Sequence, residues 1–454
     1  MNIRQQIPRG SDTHSSVSIA ADRAVEYPAR HSVSDRNSAS EKKPNVIDLW
    51  VANKLLLVLN QPVIRLMLWD GTTIPEHPGD YVATIIFHDR AALFRSLWHP
   101  ELYWGDLYAS GRIEVEGDLC RLLQLVYRSL RKENSPSLLR KIQTLTGHRK
   151  IFNTPGRAED NIHHHYDIGN DFYRLWLDQA AMQYTCAYYP DPNMGLEDAQ
   201  IAKMRHVCQK LQLKPGETVV EAGCGWGGFA LYMAKHHDVR VKAFNISKEQ
   251  IIHAREMAYA QGLNDRVEFV LGDYRNISGK FDVFVSVGML EHVGPGHYPV
   301  LGHVIKNCLK PNGRGLIHSI GRNRTQPINP WIERRIFPGA YPPTLREMMA
   351  IFETSNMSVT DVENLRLHYA KTLDAWWQRY EQNVDQVESM MDEQFVRSWR
   401  LYLAGSSAAF HCGQLQLFQV LFTPQDNNRL PWSRQHLYDP DEEGNTSHPA
   451  TKHA

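Results

Sequence analysis

The chain has 454 residues, enough for two or three folded units at roughly 100–200 residues per domain. Its 42% apolar and 22% charged composition is that of a globular protein, and fifty Lys plus Arg set against fifty Asp plus Glu give no global field that demands nucleic acid. Six dispersed cysteines without a CxxC pair argue against a zinc site or a disulfide framework, and no apolar run approaches the roughly 18 residues of a membrane span.

In chain order, residues 1–45 are Ser-rich and poor in apolar clusters, so they are expected to be disordered. They also lack the charged-then-apolar plan of a secretion signal, which with the reduced thiols predicts a cytoplasmic protein. Apolar periodicity begins at Val46, where Ile47, Leu49, Val51 and Leu55 predict a helix. A strand over 63–69 runs into an Asp70-Gly71 hairpin signal, followed by a strand over 82–87 and a short helix over 91–97. Beyond Gly117-Asp118, the residues Leu119, Leu122, Leu123, Val126 and Leu130 fall on one helical face. Residues 46–130 therefore read as a small α/β domain without a catalytic constellation. The stretch around the 131–160 linker carries Arg128, Arg131, Lys132, Arg140, Lys141, Arg149 and Lys150 against Glu133. It reads equally as a solvated linker or as a patch for anionic lipid, at about 1 kcal/mol per basic residue. Next come His163, His164 and His165, whose side chains diverge on any regular element and are not expected to share a metal ion. A helix is predicted over 172–177.

A main domain over 161–425 follows, ahead of a flexible tail over 426–454. Its strand 217–222 enters Gly223-Cys224-Gly225-Trp226-Gly227-Gly228 and then a helix over 229–235. A glycine turn between strand and helix lets the backbone approach a ligand closely, with free N–H groups at the helix start. A nicotinamide dinucleotide would want a carboxylate at the end of the second strand. That strand, 239–244, ends instead in Asn245-Ile246-Ser247-Lys248. The third, 267–271, ends in Gly272-Asp273-Tyr274-Arg275, an acid and a ring suited to an adenine. The fourth, 281–287, leads to Met289-Leu290-Glu291-His292, and the fifth, 314–319 after the turn Pro311-Asn312-Gly313, to His318-Ser319-Ile320-Gly321. The alternation predicts a doubly wound, Rossmann-like parallel sheet with Gly223, Asn245, Asp273, Glu291 and His318 along its carboxyl edge. Taken singly, Glu291 also reads as a helix cap, His318 as a satisfied core histidine and Cys224 as a small packing residue under the turn.

These motifs resemble the cyclopropane-fatty-acyl-phospholipid synthases. The resemblance rests on the run His165 to Tyr173, on Met182 to Tyr189, on Glu221 to Gly228, on Met289 to Gly294 and on Ile317 to Gly321. It continues through Trp331-Ile332, Ile336-Phe337-Pro338-Gly339, His368-Tyr369, Thr372-Leu373 and Ala375-Trp376. It implies a class I methyltransferase fold using S-adenosylmethionine, with residues 46–130 as a lipid-associated domain. The implied reaction moves a methylene to the cis double bond of a phospholipid acyl chain, with bound bicarbonate as base. The matching catalytic positions are Glu291, His318, Tyr369, Cys186 and Ile320, the last two through backbone groups. The implied cofactor contacts are Tyr184, Thr185, Gly223, Gly225, Gly227, Asn245, Ser247, Gln250, Asp273 and Tyr274. Asn245 stands where relatives often carry Thr, and Ser406 where many carry Cys. Trp376 and Trp377 are expected in the core or an acyl-channel wall. The resemblance further implies a peripheral protein on the anionic inner face of the membrane, for which a homodimer is one possible assembly; the charge balance and the spacing of Cys and His predict no nucleic acid and no metal. Two alternatives are methyl transfer without ring closure and a non-catalytic lipid-binding relative.

Overall fold

Two β-sheets organise the computed structural model, which describes residues 43–59, 63–77, 79–130 and 168–437. The expectations for residues 1–42, for the linker basic residues from Arg131 to Lys150, for His163 to His165 and for the tail past 437 lie outside the described residues.

In the smaller sheet β1 (Ile64–Met67), β2 (Thr73–Ile74), β3 (Ala83–Phe87) and β4 (Ile113–Gly117) lie in the order β2-β1-β3-β4. The Asp70-Gly71 turn joins β1 to β2 as an antiparallel hairpin, and β1 pairs with β3 in parallel. Ile64, Leu66, Ala83, Ile85 and Phe87 alternate inward, as a half-buried sheet requires. Helices Val46–Leu59, Arg90–Trp98, Pro100–Ala109 and Leu119–Leu130 complete the unit. Helix Pro100–Ala109 and β4 escape the periodicity reading for a physical reason. The helix buries Gly105, Leu107, Tyr108 and Ala109 only at its end, and in β4 Ile113 alone is fully buried.

The larger sheet comprises β5 (Thr218–Ala222), β6 (Arg240–Asn245), β7 (Val267–Leu271), β8 (Phe281–Val287), β9 (Leu309–Gly321), β10 (Met357–Asn364) and β11 (Gln416–Pro424). Their order is β10-β11-β9-β8-β5-β6-β7. Strands β5 to β9 are mutually parallel, as predicted, but β11 runs antiparallel to β9 and β10 antiparallel to β11. The sheet is therefore mixed and not wholly parallel. The turn Pro311-Asn312-Gly313 does not precede β9 but interrupts its pairing, which jumps from Phe281 opposite Leu309 to Val283 opposite Arg314. Neighbouring residues of β5 supply the two faces. Val219 packs with helices Leu196–Leu211, Gly228–His237 and Lys248–Ala260, while Val220 packs with helices Tyr298–Cys308 and Leu345–Glu353.

The two sheets are joined by specific contacts. Arg335 makes a two-point pair with Asp106 at 3.0 Å, Arg397 donates to the carbonyls of Tyr108 and Ile113, and Trp331 lies where a side chain at Gly105 would collide. Among the described residues no helix is long and apolar enough to cross a membrane, and no cluster of His, Cys, Asp or Glu could hold a metal ion.

Candidate active site

The carboxyl ends of β5, β6, β7 and β8 open onto a cleft of about 1080 Å³, including its mouth. Tyr184, Thr185, Gly223, Gly225, Asn245, Gln250, Asp273 and Tyr274 all line it. Gly227 and Ser247 stand behind the lining. Gly227 has a φ of +83°, and a Cβ there would strike Phe269 and Ala254, so it serves packing of the turn. Ser247 caps helix Lys248–Ala260 by accepting from the Gln250 amide.

The second-strand end is a clamp. Asn245 donates from Nδ2 to the Gly225 carbonyl at 3.1 Å and to Gln250 Oε1 at 2.7 Å, fixing the glycine turn from behind. The Asp273 carboxylate is engaged by Arg275, through Nε and Nη2 at 2.7 Å each. Cys224 is buried under the turn, and burial pushes its thiol well up, so it is no nucleophile.

Beneath the cleft lies a polar layer, two of whose members, Lys203 and Gln200, fall outside the motifs. Lys203 is 1% exposed and donates to Gln183 Oε1 and, at 3.1 Å, to Thr185 Oγ1. Gln200 donates to the Thr185 carbonyl at 2.9 Å. Glu221, on β5, lines the cleft with Oε2 buried and unpartnered. Burial pushes Glu221 up to about 8 and Lys203 down to about 8. Both residues had a signal: Lys203 falls on the same helix face as Ala199, Val207 and Leu211, and Glu221 interrupts the apolar run of β5.

A methyl donor of the implied kind carries a sulfonium, an ammonium, ribose hydroxyls and an adenine. The lining fits it: an orphaned acceptor on Glu221 and the Tyr274 ring, beside a glycine turn that Asn245 and Gln250 hold in place. Residues Glu221, Tyr184, Thr185 and Tyr274 are the ones that would hold it.

Glu291 and His318 sit at the ends of the adjacent strands β8 and β9. Glu291 lies in a one-turn 3₁₀ segment and caps nothing; its Oε1 accepts from the Ile320 amide at 2.6 Å, and its Oε2 is buried without a partner. Burial pushes it up to about 7. The Ile320 N–H, expected to be open to a ligand, is thus already engaged. His318 is 1% exposed; burial and the nearby Lys203 and Lys210 charges hold it well below the ordinary histidine range, so it is neutral.

Cys186 and Tyr369 both lie outside the lining of the cleft. The Cys186 thiol donates to the Ala187 carbonyl at 3.1 Å and is kept protonated by burial. Tyr369, on helix Arg366–Gln382, is buried against Phe410 and Trp376, with ring centroids 4.5 and 5.9 Å away. Trp376 in turn meets Tyr184 at 5.3 Å, so an aromatic wall connects Tyr369 to the cleft. Trp376 and Trp377 both belong to the core. Ser406 is half-buried on helix Glu393–His411 and does not line the cleft.

Known proteins resemble this chain in sequence and in fold. The profile of the family described as mycolic acid cyclopropane synthetase matches residues 154–420. The chain is 37% identical over 343 residues to the cyclopropane-fatty-acyl-phospholipid synthase of Escherichia coli K12, covering 75% of this chain and 87% of that one. It is 35% identical over 387 residues to a "Probable fatty acid methyltransferase" of Pseudomonas putida, covering 83% and 96%. Among solved structures, mycolic acid cyclopropane synthase CmaA1 complexed with SAH and CTAB superposes with a TM-score of 0.55 at 30% identity, covering 58% of this chain and 97% of that one. Coclaurine N-methyltransferase, at 19% identity and a TM-score of 0.58, shares the fold. The strand order, the cleft and these likenesses together place the chain in the mycolic acid cyclopropane synthetase family, as a transferase built on the methyltransferase fold.

Proposed function

We propose that the protein is a cyclopropane-fatty-acyl-phospholipid synthase, which moves a methylene from S-adenosylmethionine to the cis double bond of an unsaturated phospholipid acyl chain. The observation that carries this reading is the buried pair of unpartnered groups, Glu291 Oε2 and His318 Nε2, beside a cleft suited to the methyl donor. When bound, S-adenosylmethionine supplies an electrophilic methyl, and bicarbonate supplies a base.

An alkene is a weak nucleophile, so the chain's own residues must hold it in line and keep water away. Tyr184 lines the cleft, and Trp176, Trp376 and Tyr369 pack behind it with ring centroids 5.2–5.9 Å apart, a rigid wall that would exclude water. Attack leaves positive charge on the acyl chain, which an aromatic face at the cleft such as Tyr184 would stabilise by roughly 0.5–2 kcal/mol. Ring closure needs a proton removed from the transferred carbon. Glu291, with His318 beside it, and Tyr369 are the residues that would hold a bicarbonate: the carboxylate would accept its O–H and the two donors would meet its charge, which would reconcile an anion with a buried carboxylate.

A bilayer lipid as substrate is supported by the N-terminal unit. Val46, Ile47, Trp50 and Leu57 on one helix and Phe94 and Trp98 on the next are exposed, Trp50 by 59% and Trp98 by 76%. Lys54 lies over Trp50 and Arg90 over Phe94. Exposed rings flanked by cations are the composition of an interfacial helix, and this face would hold the protein peripherally on anionic lipid at the inner side of the membrane.

The test is mass spectrometry of phospholipid after incubation with monounsaturated vesicles and S-adenosylmethionine carrying a trideuterated methyl. Two retained deuteriums are expected. Three would favour methyl transfer without ring closure, the reading suggested by the likeness to the Pseudomonas putida protein. No label in lipid would overturn both.

A further inference from the structure

The pairing of β9 with β11 sets Gln419 directly opposite His318, so both side chains leave the sheet on the same face. Each is 1% exposed. Gln419 Nε2 lies 3.1 Å from His318 Nδ1. With Nε2 the amide atom that faces His318, the Nδ1 it meets is the accepting nitrogen, because a side-chain amide nitrogen only donates. A neutral imidazole has one proton, which this contact sends to Nε2. That atom is buried and without a partner.

We propose that Gln419 is a positioning residue that fixes His318 as the Nε2–H tautomer, making it a hydrogen-bond donor into the site beside Glu291. This orientation leaves Gln419 Oε1 buried without a partner, and it turns on what the neighbouring strand needs. Gln419 stands opposite Glu363 on its other side, and Glu363 is occupied by His206 at 2.7 Å and Lys210 at 2.6 Å. Those two residues satisfy the carboxylate without the amide, which leaves Gln419 Nε2 to serve His318.

A donor from His318 is what the neighbouring groups require. Glu291 offers an acceptor in Oε2, its other oxygen being held by the Ile320 amide. An acceptor and a donor on adjacent strand ends suit a small acid that both gives and takes a hydrogen bond. The other tautomer would present two acceptors to it. The purpose assigned to the N–H rests on the proposed function; the tautomer itself does not.

The experiment is nitrogen NMR of the full chain labelled with ¹⁵N-histidine, the His318 signals being identified by their loss in His318→Asn. Wild type is expected to show a bare Nδ1 and a protonated Nε2. Gln419→Glu replaces the donor by an acceptor and should reverse the two, with kcat falling on the order of 10²–10⁴-fold, the range for a positioned proton donor or acceptor. KM for S-adenosylmethionine should stay unchanged, and Gln419→Leu should give both tautomers with an intermediate kcat. A protonated Nδ1 in the wild type would overturn the assignment whatever the variants do. A reversed tautomer with wild-type kcat would overturn the need for the donor. If wild type shows Nε2–H but leaves lipid unlabelled, the proposed function fails and the role of Gln419 in setting the tautomer stands.

Discussion

In the N-terminal unit the buried Asp48 carboxylate is fully engaged, by Arg90 at 2.7 Å and by the Asn45 amide at 2.9 Å, while large apolar side chains such as Trp50 and Trp98 face outward. At the carboxyl edge of the larger sheet the pattern is inverted. Apolar groups are inside, and Glu221 and Glu291 each keep one buried oxygen without a partner. An unpartnered buried acceptor costs about 1–3 kcal/mol, and an exposed aromatic face gives up burial of similar size. Each region thus departs from the most stable arrangement in its own way. The larger sheet leaves polar groups ready for a small polar ligand, and the smaller one leaves apolar groups ready for an apolar surface.

The sharpest way to break this comparison is at Glu291. Glu291→Gln keeps the shape and the acceptor toward the Ile320 amide but removes the charge. Turnover of labelled S-adenosylmethionine is expected to fall roughly 10³-fold, about 4 kcal/mol, with cofactor affinity retained. Wild-type turnover in this variant, with or without added bicarbonate, would mean that the orphaned oxygen is structural. The next largest effect is expected at Lys203. Lys203→Met leaves Gln183 Oε1 and Thr185 Oγ1 without their donor and Asp178 and Glu221 without a nearby cation. Calorimetry should show a loss of about 3 kcal/mol, the scale for removing one member of a buried polar set. Adding Glu221→Gln should recover part of it, and strictly additive losses would show that the two residues are not coupled.

What could be read from the chain alone follows the same division. Glycine turns and strand ends are punctuated, so Gly223, Asn245, Asp273, Glu291 and His318 stand out as breaks in apolar runs. Lys203 was just as informative, but a lysine in a helix reads as solvated until its register with Val207 and Leu211 is counted. Gln419 offered less, since β11 is buried along almost its whole length and gives no alternation to interpret. Its importance comes from cross-strand pairing with His318, and pairing register is a tertiary fact. The engagement of the Ile320 amide by Glu291 is likewise invisible until β8 and β9 are adjacent.

A titration sharpens the role of Glu291, with opposite signs for turnover and stability. Its folded pKa of about 7 lies above the ordinary 4.5, so the folded state holds the proton more tightly than the unfolded chain. Stability from this group is complete below the ordinary value and is lost as pH rises toward 7. Glu221, raised to about 8, adds to the same trend. If the ionised Glu291 is the working form, turnover should rise through pH 7 while the thermal midpoint falls. Glu291→Gln should reduce the fall of the midpoint between pH 5 and 7 by about half, Glu221 supplying the rest; an unchanged slope would assign the effect to Glu221 alone.

The smallest expected change in stability tests the other half of the comparison. Trp50→Ser and Trp98→Ser remove rings that are mostly solvent-exposed, so the thermal midpoint should move by less than the equivalent of about 0.5 kcal/mol. Co-sedimentation with anionic monounsaturated vesicles should nonetheless drop severalfold, because each ring's transfer to the bilayer interface contributes to binding and not to folding. Turnover on vesicles should fall in parallel, and turnover on the same lipid dispersed in detergent should not. A large stability loss with unchanged vesicle binding would show that these rings pack against the protein itself. The two regions would then differ only in their polar groups, and the apolar face would need no partner.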